Sequence, residues 1–280
     1  MKNKNYLLSA TLVFASIFGT YFVMNSVVSV KSQVVVADNE YQVAATLFMQ
    51  HSGEYRALCF QAFNIAKLFL DKDFEKNSLK MLPKVERKRP RAIVVDIDET
   101  VLDNSPAQAY TIKKRLPFNL KDWYAWGEMR SAKAIPGSVD FLKYANGKGV
   151  KIFYVSNRDE VQKQATIDNL KAVGFPDAST ETVLLRQTES SKTVRRTAIS
   201  QNYRIVILAG DNLNDLSEVF EKKSVADRFM EVDKTRELYG NKFIVLPNAM
   251  YGAWEESIYD NKRLSEAEKT AKRNAMLLSY

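Results

Sequence analysis

The chain has 280 residues, 46% of them hydrophobic, and 41 Lys and Arg against 33 Asp and Glu give a formal net charge of +8. That is enough for one sizeable core and a small second lobe, but not for two full domains. The basic residues are spread along the chain apart from one dense patch, Lys84 to Arg91, without an aromatic-interleaved basic stripe, which argues against a nucleic acid polymer as partner and for a surface that attracts small anions.

Lys2 and Lys4 precede an apolar, uncharged stretch from Tyr6 to Val30, and Val35 and Ala37 suit a cleavage site before Asp38. Residues 1–37 therefore read as an export signal, with an uncleaved membrane anchor as the alternative because the stretch is long enough to span a bilayer. No cysteine lies near its end, so attachment through a lipid-modified cysteine is not expected. The expected location is the periplasm, the outer membrane or the cell surface, with residues 38–280 forming a single domain.

From 41 to 82, apolar residues such as Ala44, Leu47, Phe48, Leu58, Ile65 and Phe69 recur near helical spacing and predict one or two amphipathic helices. His51 reads as a core or satisfied helix residue, and Lys84 to Arg91 as a charged connector. The core begins at Arg91. Ala92 to Val95 is an apolar run suited to a buried strand, and it stops at Asp96 and Asp98, which strand alternation puts on one face.

Ser105 to Ala134 is too long for a simple strand-to-helix loop. Tyr110, Phe118, Trp123, Tyr124 and Trp126 make it either a cover for a site or a satellite core. Next come a helix from Pro136 and Gly137 to Asn146, a strand Val150 to Val155, a helix Asp159 to Val173 and a strand Val183 to Leu185. A basic helix Ser190 to Ser200, a strand Ile205 to Ala209, a helix Asn212 to Lys222, a strand Phe243 to Leu246 and a helix Ser265 to Ser279 complete the chain. This alternation predicts an α/β fold, doubly wound around a largely parallel sheet. The amino-terminal helices, the 105–134 insert and the carboxyl-terminal helix are left for a smaller helical and aromatic cap lobe.

Scarcity narrows the chemistry. With one histidine, His51, and one cysteine, Cys59, a Ser-His-Asp triad or a multi-histidine zinc site is improbable. The position six residues after Cys59 is Ile65 rather than the arginine of a cysteine phosphatase, and Gly147, Lys148 and Gly149 do not complete a nucleotide phosphate loop. Carboxylates are left. The strand ends supply them: Asp96 and Asp98 after the first, Ser156, Asn157 and Arg158 after the second, Gly210, Asp211, Asn214 and Asp215 after the fourth, with Lys192 opening the helix after the third. In a parallel sheet these ends share one edge.

A carboxylate and a phosphate oxygen ~4 Å apart repel by about 4 kcal/mol per charge pair at an effective dielectric of roughly 20. Holding phosphate at such a site needs a cation, and hard oxygen donors suit Mg²⁺, with Asp96 and Asp211 as first ligands. Asp96 is then the candidate nucleophile and Asp98 the acid and base. Ser156 and Lys192, with Asn157 beside them, are the candidate grips on the phosphoryl oxygens.

The residues D-I-D-E-T from Asp96 to Thr100, Ser156 and Asn157 after a strand, Lys192, and G-D-N-L-N-D from Gly210 to Asp215 resemble the haloacid dehalogenase superfamily. Within it the likeness is to the class C, or DDDD, acid phosphatases, which include lipoprotein 5′-nucleotidases of the outer membrane. It runs from about Ala44 to the end, and D-I-D-E-T-V-L-D-N-S-P at Asp96 to Pro106, K-D-W at Lys121 to Trp123 and P-N-A-M-Y-G-A-W-E at Pro247 to Glu255 add to it. The resemblance implies a Mg²⁺-dependent phosphomonoesterase in which Asp98 also offers its backbone carbonyl to the metal and Asp211 and Asp215 supply a ligand and its support. It implies nucleoside monophosphate substrates, the base held between Trp123 and Tyr251, and an exported dimer with an acidic optimum. The rival readings are a non-catalytic surface protein binding haem or a host ligand on this scaffold, and a receiver-type signalling domain.

Overall fold

The computed structural model describes residues 39–75, 80 and 82–280, and the unit to which they belong spans Ala37–Tyr280. The segment read as an export signal or anchor lies outside the described residues. Among the described residues no helix is long and apolar enough to cross a membrane.

In chain order the helices and strands are α1 (Val43–His51), α2 (Gly53–Asp73), α3 (Lys84–Lys88), β1 (Arg91–Val95), β2 (Leu102–Asp103), α4 (Ser105–Lys114), α5 (Leu120–Glu128), β3 (Lys133–Ala134) and α6 (Ser138–Gly147). They continue as β4 (Lys151–Asp159), α7 (Lys163–Ala172), β5 (Val183–Arg186), α8 (Thr193–Asn202), β6 (Arg204–Gly210), α9 (Leu213–Leu216), α10 (Val225–Lys234), β7 (Phe243–Val245), α11 (Ala253–Ile258) and α12 (Glu266–Ala275).

Apolar runs rich in Val and Ile, too short for helices, pair in parallel in the order β5-β4-β1-β6-β7. β1 is central and covered on both faces. Ile93 and Val95 join one core with Phe63 and Leu70 of α2, Leu142 of α6 and Leu170 of α7. Ala92 and Val94 join the other with Ile199 of α8, Leu216 and Phe220. Fully burying a side chain such as Leu70 or Ile93 contributes about 1.5–3 kcal/mol, so the two layers hold the sheet from either side. The chain leaves β1 for β4 and β5 on one flank, then returns to β6 and β7 on the other. The crevice at the carboxyl ends of β1 and β6 is thus the topological switch point, where open α/β sheets hold ligands.

All five predicted strands form. β4 runs four residues past Val155, and its pairing with β5 loses register between Val155 and Asp159, so Ser156 to Arg158 bulge at the sheet's carboxyl edge. The predicted helix from Asn212 to Lys222 is the main departure. It is one turn, α9, because Ser217 is extended, with φ −158° and ψ 147°, and its hydroxyl caps a new 3₁₀ turn, Glu218–Phe220. α10 follows unforeseen. α2, assigned from the sequence to a cap lobe, is the layer over one face of the sheet, whereas α1 packs on α4 of the insert. His51 is exposed at the end of α1, while Cys59 is buried and free.

The first described residues act as a strap. The Asn39 side-chain amide donates to the Leu116 carbonyl at 2.7 Å, and the Gln42 amide donates to the Met250 carbonyl at 3.1 Å while accepting from Gln108 Nε2 at 2.8 Å.

At the opposite end of the sheet, Asp73 closes α2. Its carboxylate accepts from Arg91 Nε at 2.6 Å and from Arg204 at 2.8 and 2.7 Å, which ties α2 to the starts of β1 and β6. Burial pushes this carboxyl up, but the two guanidiniums outweigh it and hold it below the ordinary value. A depressed folded-state value gives stability that is present above the unfolded carboxylate range, about pH 4, and lost as pH falls through the folded value. Asp73→Asn is expected to cost about 3 kcal/mol at pH 7 by urea unfolding, and the gap to wild type should narrow as the pH is lowered below about 4.

Candidate active site

Asp96 follows β1 directly, and its N–H donates to the Ala209 carbonyl of β6 at 2.9 Å, so the end of β1 is locked to the strand that delivers Asp211. Asp211 follows Gly210, the last residue of β6. Asp215 lies one turn on in α9, where its carboxylate accepts from the Asn212 N–H at 3.1 Å in a capping box. One oxygen from each of Asp96, Asp211 and Asp215 falls within 4.8 Å of the others. Lys192, 4% exposed at the start of α8, is ion-paired with Asp96 and, at 2.7 Å, with Asp215, and the Arg195 guanidinium adds a weaker attraction to both.

Three acids paired with one ammonium leave negative charge in a partly buried place. Burial and the neighbouring Asp215 and Asp211 push the Asp96 carboxyl well above the usual range against the pull of Lys192. Burial and Asp215 likewise push Asp211 up to about 7. Burial lowers the affinity of Lys192 for its proton, but Asp215 and Asp96 outweigh it and the net shift is upward. All-oxygen donors, convergent and undercompensated, fit a hard divalent cation.

Two polar side chains that the sequence did not single out complete the trio. The Thr100 hydroxyl donates to Asp211 Oδ1 at 3.1 Å and accepts from the Asp211 N–H at 3.0 Å, with Asp96 Oδ2 at 3.4 Å. Asn248, in the loop after β7, donates to Asp211 Oδ2 at 2.8 Å. Thr100 belongs to the D-I-D-E-T motif and Asn248 to the P-N-A-M-Y-G-A-W-E stretch, so both were legible as motif members though neither was assigned a role.

Asp98 stands apart from the trio. Strand alternation does not carry past Val95, because β1 ends there and the chain turns, with Val101 N–H donating to the Ile97 carbonyl and Glu99 at φ 59°. The Asp98 carboxylate accepts from Arg158 Nε at 2.9 Å, Asn104 Nδ2 at 2.8 Å and Ser156 Oγ at 3.1 Å. The carboxylates of the two motif aspartates therefore enter different networks, and Asp98 is not among the side chains that converge in the trio.

The other predicted residues fall around these two. Ser156 is fully buried, with its hydroxyl on Asp98. Asn157 is exposed and accepts from Arg195 at 2.7 Å, and the same arginine donates to the Ser156 carbonyl at 2.6 Å, fixing the β4 bulge to α8. Trp123 and Trp126, one turn apart on α5, are both half-buried. The Trp123 ring lies 5.3 Å from the Arg158 guanidinium carbon and 6.3 Å from the Phe118 ring, and Trp126 Nε1 donates to Asn104 Oδ1 at 2.8 Å. Tyr251 donates its hydroxyl to Glu99, a carboxyl with no exposed surface that burial and Asp98 push well above its usual range.

A family model of the HAD superfamily, subfamily IIIB (acid phosphatase), matches residues 20–254. The chain belongs to this acid phosphatase family. Its fold is similar to that of the class C acid phosphatase from Bacillus anthracis, at 42% identity and a TM-score of 0.79 over 86% of this chain and 98% of that one. A structure of the B. anthracis class C enzyme with tungstate bound matches at the same identity and TM-score over 87% and 99%. Acid phosphatase 1 of Solanum lycopersicum is 28% identical over 131 residues, 44% of this chain and 51% of that protein, so the match spans about half the length of that curated relative.

Membership in the family makes the packing at Gly210 testable. A Cβ there would lie 2.5 Å from the Cβ and Oδ2 of Asp215, closer than such atoms approach, so only glycine lets the end of β6 pass the trio. Gly210→Ala is expected to displace Asp215 and lower acid phosphatase activity by about tenfold or more with a folded circular dichroism spectrum, as steady-state assays of the purified variant would measure.

Proposed function

We propose that the protein is an exported, Mg²⁺-dependent phosphomonoesterase of the cell envelope that acts on nucleoside monophosphates through an aspartyl-phosphate on Asp96. The observation that carries the reading is the convergent trio of Asp96, Asp211 and Asp215, ion-paired to Lys192 through Asp96 and Asp215 and set at the switch point of the sheet. When bound, the divalent cation supplies the positive charge that lets a phosphate dianion enter an acidic site. The tungstate held by the B. anthracis relative is an oxyanion, which supports an anion-accepting site here.

An Asp96 carboxylate oxygen attacks phosphorus as the ester P–O bond breaks, and the departing oxygen takes the proton of Asp98. Asp98, now charged, takes a proton from water, whose oxygen cleaves the acyl phosphate and releases inorganic phosphate and free Asp96. Lys192 stays within reach of the phosphoryl oxygens as charge develops, joined by Ser156 and Asn157 at the end of β4. Trp123 and Tyr251 hold the base, since stacking tolerates any base with a π face. A homodimer, with the amino-terminal segment as signal or anchor, completes the proposal. The rival reading as a non-catalytic haem-binding surface protein is not favoured, because the carboxylate set is intact and the family is enzymatic.

A panel of phosphomonoesters assayed with and without EDTA tests this reading. Chelation should abolish turnover and Mg²⁺ restore it, with nucleotides hydrolysed at higher kcat/KM than simple aryl phosphates; equal rates would remove the stacking role of Trp123 and Tyr251. Asp96→Asn should lower kcat by about a thousandfold or more while leaving the melting temperature near that of wild type, and near-normal hydrolysis would rule out Asp96 as nucleophile.

A further inference from the structure

Asn104 occupies the residue before α4, the place where an asparagine normally caps a helix. It does not cap. Its side chain makes no hydrogen bond to the first turn of α4, and the Ser105 N–H is answered instead by Asp103 Oδ1 at 2.8 Å. Only 2% exposed, the Asn104 amide is turned toward the β1 loop. Nδ2 donates to Asp98 Oδ1 at 2.8 Å and reaches Glu99 Oε2 at 3.4 Å, while Oδ1 accepts from Trp126 Nε1 at 2.8 Å and from the Arg158 guanidinium at 3.1 Å. Indole and guanidinium only donate and carboxylates accept, so the amide has one orientation that satisfies every neighbour.

We infer that Asn104, fixed by Trp126 of the aromatic insert, is a positioning residue that holds the Asp98 carboxylate in the direction its proton transfer requires. Asp98 Oδ1 takes the hydrogen bonds from Asn104 and from Arg158 Nε, which leaves Oδ2, bonded to Ser156, as the less committed oxygen and the one assigned to proton transfer. Arg158 is itself fixed on three sides, by Asp98, by Thr166 at 3.2 Å and by Asn104, with the Trp123 ring 5.3 Å from its guanidinium carbon. Helix α5 thus acts on the reaction through two indoles: Trp123 against Arg158, and Trp126 through Asn104. The inference rests on the assignment of Asp98 as acid, because a misdirected carboxyl matters only where a proton must be delivered to the leaving oxygen.

That dependence gives the test a readout that a structural defect does not share. The Mg²⁺-loaded full chain is compared with Trp126→Phe, which keeps a ring but loses the donor to Asn104, and with Asn104→Asp, near in shape but unable to donate to Asp98. For each, kcat/KM is measured with p-nitrophenyl phosphate, whose leaving group departs without a proton, and with glycerol 2-phosphate, whose alkoxide does not. The parameter stops at the first irreversible step, so hydrolysis of the phosphoenzyme does not enter it. Either folded variant suffices, with melting temperature as the check on folding. The expected result is a loss of about tenfold on glycerol 2-phosphate with less than about twofold on p-nitrophenyl phosphate. Equal losses on both substrates, or no loss on either, would overturn the inference. Asp98→Asn serves as the control for the underlying reading: if it too lowers both substrates equally, the acid assignment fails, whereas a selective loss in Asp98→Asn without one in the two variants counts against Asn104 alone.

Discussion

The site is built around an imbalance of charge that the fold enforces. Asp96, which is buried, converges with the half-buried Asp211 and Asp215, and Lys192 answers only part of their charge. An unpaired buried carboxylate is costly, so such a cluster persists only if the surrounding structure holds it in place. β1 and β6 provide that hold through the Asp96 N–H to Ala209 bond, and Gly210 allows the close passage of Asp215. The buried runs on both faces of the sheet supply the rigidity, so a loss of packing beneath β1 would be felt as a change in carboxylate spacing.

Much of this was legible because it follows from local rules. The five strands were apolar runs too short for helices, and their alternation with helices set the parallel sheet and the shared edge. Asp96, Asp211 and Lys192 could be read as converging because strand ends in such a sheet have one destination. The reading failed where side chains rather than periodicity decide the path. Ser217 ends α9 after one turn by capping its own successor, and Asp215 is spent on a capping box and on Lys192 rather than on extending a helix.

The same limit explains the treatment of the two motif aspartates. Strand alternation paired Asp96 with Asp98, yet the chain stops being extended at Val95, and the two carboxylates enter different networks. Asn104 stands in a motif stretch, but its role was not legible for a related reason: an asparagine before a helix looks like a cap, and only the position of Asp103 shows that the cap is supplied elsewhere. Trp126 and Trp123 lie one turn apart, and the sequence could not say that both would turn to the same arginine and asparagine pair. Long-range polar partners carry no periodic trace.

The strap at residues 39–42 bears on what counts as the folding unit. By hydrogen-bonding Leu116, Gln108 and Met250, it joins the insert that carries Trp123 to the loop that carries Tyr251. Neither of those segments belongs to the sheet. A rearranged or trimmed gene that preserved every strand and every aspartate but lost Asn39 and Gln42 would lose the tie between the two aromatic segments.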